Sequence, residues 1–257
     1  MSAPLAWRSA GSGPPLLLVN GYAATAADWD PAFVAALGRS FEVICPDNCG
    51  VGGSAPRDAV TIDSMAADLE ALLDSLGTGP LAAAGWSMGG FVVQRLAARA
   101  PARVARLVLL STDPGGSAAV PADPEVWARL TDHSGTAREQ ASRLISLLFP
   151  PGVAEAIDRD FGDVVAAARA GLSPAVLRAQ EAAMAAWHGS EQPAARVDDV
   201  LIACGGEDVV IPPANADALA AVHPGARVER FAGGGHAFMA QEPERLAALI
   251  AGRGARS

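Results

Sequence analysis

The chain has 257 residues, 51% hydrophobic and 18% charged, with a formal net charge of −9. This composition belongs to a globular chain with one substantial core, and the negative balance without a basic stripe excludes a nucleic-acid partner. Every basic residue is arginine, and the absence of lysine removes Schiff-base chemistry and the phosphate-cradling lysine of P-loops.

Three cysteines, Cys45, Cys49 and Cys204, make no paired disulfide framework and fit a reducing compartment. The apolar run "LLLV" near the start is too short for a signal core or a membrane span. The expectation is a cytoplasmic protein that engages no membrane.

Segments 4–10 and 15–20 flank a Gly-Ser-Gly-Pro turn and predict an antiparallel hairpin. A helix is expected from about Ala27 to Gly38, then a fully apolar strand over 41–47. Residues 61–77 open on Thr61 as N-cap, repeat apolar residues at helical spacing (Met65, Leu69, Leu72, Leu73, Leu76) and close on Gly77. "PLAAAGWS" reads as a strand, "MGGFVVQRLAARA" as a helix stopped by Pro101, and "VARLVLLST" as a further strand.

This alternation predicts a largely parallel sheet covered on both faces. It breaks from Pro114 to about Val197, where helical patterns such as "REQASRLISLLF" and "PAVLRAQEAAMAAWHG" stand between prolines and glycines. The rhythm resumes with a strand over 199–208, a helix from Asn215 to Val222, a strand over 227–235 and a last helix from Pro243 to Ile250. The expected organisation is one α/β core, 1–113 and 198–257, carrying a helical insertion over 114–197.

In "AAAGWSMGGF" Ser87 stands two residues after Gly85 and two before Gly89, between a strand and a helix. A serine on such a turn projects its hydroxyl clear of the sheet, and flanking side chains would collide with neighbouring backbone, hence the two glycines. The following helix aims free N–H groups at charge developing beside that hydroxyl. A serine needs a base held by a third group. Of four histidines, His133 and His188 fall in the insertion and His223 at a helix end, whereas His236 follows the last strand on the ligand-binding edge of the sheet.

Glu207 and Asp208 lie past the preceding strand on the same edge; Asp208 is favoured by its motif position, with Glu207 as rival. Asp113 is a further alternative, better suited to capping its loop. The order Ser87, Asp208, His236 suits a hydrolase on this sheet. Oxyanion donors are expected from the N–H groups of Met88 and Tyr22, with Ala23 as fallback.

With these residues in place, the chain resembles the α/β-hydrolase superfamily through "LLLVNGY" (16–22), "PDNCGVGGS" (46–54), "GWSMGG" (85–90), "GGEDVVIPP" (205–213) and "GGGHAF" (233–238). It looks most like the small esterase and enol-lactonase branch. The resemblance implies a mostly parallel sheet of about seven to eight strands flanked by helices, with the insertion as a helical cap after the sixth strand. It further implies a Ser–His–Asp triad acting on a small-molecule ester or lactone, with no cofactor and no metal. Two departures stand out: Asn20 replaces the common histidine before the oxyanion glycine, and Cys49 replaces the usual arginine of the loop after the third strand.

Trp86, Trp127, Phe149, Trp187 and Phe238 are candidate pocket residues, with Phe161 and Met184 beside them in the insertion. An apolar pocket without an evident cationic anchor points to a neutral, hydrophobic substrate, unless Arg129, Arg138 or Arg143 faces inward. Non-hydrolytic use of the site (cyclase, lyase, perhydrolase), cleavage of a β-diketone and a non-catalytic binding role stand as alternatives. The sequence leaves the oligomeric state open.

Overall fold

The structure, a computed structural model, describes residues 5–252. Seven strands form one sheet: β1 (Trp7–Gly11), β2 (Pro15–Val19), β3 (Glu42–Pro46), β4 (Leu81–Trp86), β5 (Val104–Leu110), β6 (Val200–Gly205) and β7 (Arg227–Phe231). Their spatial order is β1-β3-β2-β4-β5-β6-β7, with β1 antiparallel to β3 and all other pairs parallel. Among the described residues no helix is long and apolar enough to cross a membrane.

The expected hairpin is therefore corrected: β3 lies between β1 and β2. The reason is burial. Leu16, Leu17, Leu18 and Val19 are wholly enclosed, so β2 needs a parallel neighbour on each side. Each such side chain contributes about 1.5–3 kcal/mol on leaving water. β1 is mostly exposed and can hold only the edge.

The helices α1 (Pro31–Gly38), α2 (Ile62–Leu76), α3 (Met88–Arg99), α8 (Asn215–Val222) and α9 (Pro243–Ile250) cover the two faces. The first is shorter than expected, because Asp30 caps it and Pro31 takes its opening position; residues Ala26–Asp28 form a separate 3-10 turn. The second matches its sequence pattern, with Thr61 accepting from the Ser64 N–H and Gly77 in the left-handed region at φ 63°.

Four helices fill the interval between β5 and β6: α4 (Pro124–Leu130), α5 (Ala137–Leu148), α6 (Pro151–Ala170) and α7 (Pro174–His188). They leave the sheet after the fifth strand of this chain, not the sixth, since only five strands precede them. Two apolar clusters flank the sheet, one including Leu69, Phe91, Leu96 and Leu107, the other Phe33, Leu37, Phe231 and Phe238.

Candidate active site

Ser87 occupies the sharp bend from β4 into α3 at φ 56°, ψ −124°, a conformation costly for a side chain that bears a Cβ. Three hydrogen bonds hold the bend: the Ser87 N–H donates to the Leu110 carbonyl at 3.0 Å, while the Ser87 carbonyl accepts from the Gly90 N–H and the Thr112 hydroxyl, each at 2.8 Å. A Cβ on Gly85 would collide with the Gly89 carbonyl, and one on Gly89 with the Val19 carbonyl. Strand, bend and helix are pressed too closely there for any side chain.

His236 and Asp208 meet at this edge. The Asp208 Oδ2 lies 2.8 Å from His236 Nδ1, and its Oδ1 accepts from the Val210 and Ile211 N–H groups, each at 2.9 Å. Both residues are buried, so the pair works in a low-dielectric setting. Glu207 is exposed and does not contact the imidazole. Ser87 and His236 line one cavity, with no hydrogen bond between their side chains in this structure. Such bonds are commonly long before substrate binds.

Trp86 does two things. Its indole N–H donates to the His236 carbonyl at 2.9 Å with ring centroids 5.1 Å apart, and it lines the cavity.

The loop after β2 approaches the bend closely. A Cβ on Gly21 would stand 3.1 Å from that of Ser87. Asn20 ties the loop, with its amide Nδ2 donating to the Thr25 carbonyl at 2.7 Å and its Oδ1 accepting from the Gly21 N–H at 2.9 Å. Ala23, at φ 57°, donates its N–H to Gln180 Oε1 on α7 at 2.9 Å, so that N–H is already engaged. The Tyr22 hydroxyl donates to Glu181 Oε1 at 2.5 Å. Burial, reinforced by that carboxylate, raises the phenol's pKa above its ordinary range. Met88 opens α3, so its N–H has no acceptor within the helix.

Asp113 caps its own loop through the Gly115 N–H at 2.8 Å and also accepts from the Trp187 indole at 3.2 Å. Its second oxygen lies 3.0 Å from His188 Nε2, so it does not serve His236. His133 pairs with Glu181 at 2.7 Å, and His223 is buried at the end of α8.

The cavity has a volume of about 1420 Å³, above the usual range for small-ligand sites. Trp127, Phe149, Phe161 and Met184 line it as expected. Trp187 and Phe238 do not. Trp187 stacks on Phe91 at 5.1 Å and Phe238 packs on Phe231 at 4.7 Å, and both rings are buried in the apolar clusters beside the sheet.

Arg129, Arg138 and Arg143 are engaged with Ser146, with Asp158 and Asp163, and with Asp132. The expectation of a cavity without a cation fails on a fourth arginine, Arg169, which lines the wall. Reading the residues in order missed Arg169, Gln180 and Glu181. One signal was present for Gln180: a polar residue on the apolar stripe of α7, between Leu177 and Met184 and fully buried.

Cys49 donates weakly to the Ala55 carbonyl at 3.5 Å. Burial raises its pKa, as it does for Cys204, to about 11, and for Cys45, to about 12. Nothing here marks Cys49 as reactive. Among the described residues no group of three or more His, Cys, Asp or Glu could hold a metal ion.

Sequence and structure comparisons agree with this architecture. The family model for the alpha/beta hydrolase fold matches residues 14–243. A hydrolase from Pseudomonas aeruginosa superposes with a TM-score of 0.81 at 28% identity, covering 98% of this chain and 94% of that one. An esterase from Thermogutta terrifontis does so with a TM-score of 0.73 at 28% identity, covering 96% and 91%. The dihydrolipoyllysine-residue acetyltransferase component of the acetoin cleaving system of Cupriavidus necator is 29% identical over 254 residues. That match covers 95% of this chain but 64% of the relative, so the chain spans under two thirds of its length. The chain belongs to the α/β-hydrolase fold family.

Proposed function

We propose that the protein is a serine hydrolase that cleaves a carboxylic ester or lactone of a small-molecule substrate through an acyl-enzyme. Ser87 attacks the carbonyl carbon while His236 Nε2 takes the hydroxyl proton. Asp208, accepting from Nδ1–H, fixes the tautomer that leaves Nε2 free and stabilises the imidazolium. The N–H groups of Met88 and Tyr22 receive the negative charge that develops on the carbonyl oxygen. His236 then gives its proton to the leaving alcohol, and a water activated by the same imidazole releases the acid.

The observation that carries this reading is the strained backbone of Ser87 beside a buried His236–Asp208 pair on one cavity. Such strain persists only where surrounding structure enforces it, and it clusters at reacting groups. The helices over 114–197 act, in this reading, as a cap that supplies most of the apolar wall and excludes water from the acyl-enzyme.

Ser87→Ala tests it. Hydrolysis of a p-nitrophenyl ester and covalent labelling by a fluorophosphonate should both vanish, with the melting temperature unchanged. Full turnover by the variant overturns the assignment.

A further inference from the structure

Arg169, in the last turn of α6, is the one arginine on the cavity wall. It forms no ion pair with any described residue, and its Nε is sealed from solvent without a hydrogen-bond partner. The three carboxylates on the same wall are committed elsewhere. Asp28 accepts from the Thr25 N–H at 2.6 Å and its hydroxyl at 2.8 Å, Asp30 caps α1 through the Phe33 N–H, and Asp113 holds Gly115, Trp187 and His188. Glu181, nearby on α7, is taken by Tyr22 and His133. The other cation in its field, Arg143, is bound to Asp132 and to the Asp132 and Ser134 carbonyls.

Arg169 is half-buried, the Asp28 carboxylate acts on it without forming an ion pair, and burial lowers the pKa of its guanidinium. It nevertheless stays charged under ordinary conditions. Arg169 lines the same cavity as Tyr22 and Ser87. Val165 and Leu172, one turn to either side of it, and Leu144 and Ile157 add apolar wall to the same cavity.

We infer that Arg169 is an anion anchor, and that the substrate is an ester or lactone with one carboxylate on an otherwise apolar body. This rests on the proposed hydrolase reading and specifies its substrate class. The planar guanidinium can take a carboxylate through two parallel hydrogen bonds. A single negative charge fits best, because Asp28 and Asp30 share the wall and the chain carries −9 overall. The long apolar cavity takes the chain that joins carboxylate to scissile bond.

The test compares mono-p-nitrophenyl suberate with p-nitrophenyl octanoate, which differ in the distal carboxylate. Arg169→Met should raise KM for the suberate ester about 10- to 100-fold, the loss expected for charge-assisted hydrogen bonds. KM for the octanoate ester and kcat for both should stay within about twofold. Arg169→Lys should restore part of the suberate affinity. Equal changes for the two esters, or none, overturn the anchor. Calorimetric binding of monomethyl suberate to Ser87→Ala, compared with Ser87→Ala carrying Arg169→Met, reads the anchor without turnover. Binding that survives the arginine change also overturns it. If neither ester is hydrolysed by the unmodified protein, the hydrolase reading falls, and the calorimetry still decides the anchor. Arg169→Gln replaces Arg169→Met if the latter does not fold.

Discussion

At Ser87 the backbone stands where a side chain is strained, and the bend is held by Leu110, Gly90 and Thr112. A methyl group on Gly89 would meet the Val19 carbonyl and push α3 off the end of β2. Gly89→Ala should therefore lower stability by about 1–3 kcal/mol, the usual penalty for overpacking, with esterase activity lost in the folded fraction. Denaturant unfolding checks the first expectation and ester turnover the second. Asp208 and Glu207 are adjacent, yet one is buried against His236 and the other faces water. Asp208→Asn should cut kcat by about 10⁴, whereas Glu207→Gln should leave it within about twofold. The cysteines make a complementary case. All three are buried with thiols raised above their ordinary range. Ellman's reagent at neutral pH should find them unreactive in the folded protein and react with all three in denaturant.

At the scale of elements, α7 reaches from the inserted helices to the loop after β2. Two consecutive side chains grip consecutive residues: Gln180 accepts the Ala23 N–H, and Glu181 accepts the Tyr22 hydroxyl. Ala23 holds a left-handed backbone at φ 57°, and the two contacts tie this part of the loop to α7. Gln180→Leu would leave the Ala23 N–H buried and unpaired and let the loop relax. We expect kcat to fall about tenfold with KM little changed, because the oxyanion donor acts on the transition state more than on the bound ester. Steady-state kinetics separate the two constants. A rise in KM alone would mean that α7 shapes only the binding cavity.

For the whole molecule, His223 is a source of acid sensitivity. Burial lowers its imidazole pKa below the ordinary value. The unfolded chain takes up the proton near pH 6.5, so below that point unfolding binds more protons than folding. The stability that His223 contributes is present above the unfolded value and is lost as pH falls towards the folded one. The melting temperature should drop from neutral pH towards pH 5, and His223→Gln should flatten that slope. A steeper slope in the variant would contradict the sign.

Much of this was legible in the residues because local rules and tertiary demands coincide. Thr61 and Gly77 bound α2 in sequence as in space, since capping is decided within one turn. The meeting of Ser87, Asp208 and His236 at one edge was legible too, because the bend leaves no room for side chains at Gly85 and Gly89 and the later strands end on that edge. Strand neighbours were not legible in this way. Segments 4–10 and 15–20 look like a hairpin to any rule based on the turn between them, and only competition for the centre of the sheet puts β3 in that gap. Trp187 and Phe238 failed as pocket residues for a related reason, since large rings at helical spacing do not reveal which side faces a cavity. Arg169 is the sharpest instance: a helix of mixed polarity does not show which of its arginines lacks an ion-pair partner until the pairs of its neighbours are seen. The sequence by itself determined where Ser87, Asp208 and His236 fall relative to strand ends, because a turn between glycines and loops at strand ends are set by local geometry. The tertiary structure alone decided what those residues meet, because strand order, cavity wall and unpaired charge depend on which distant residues share a place.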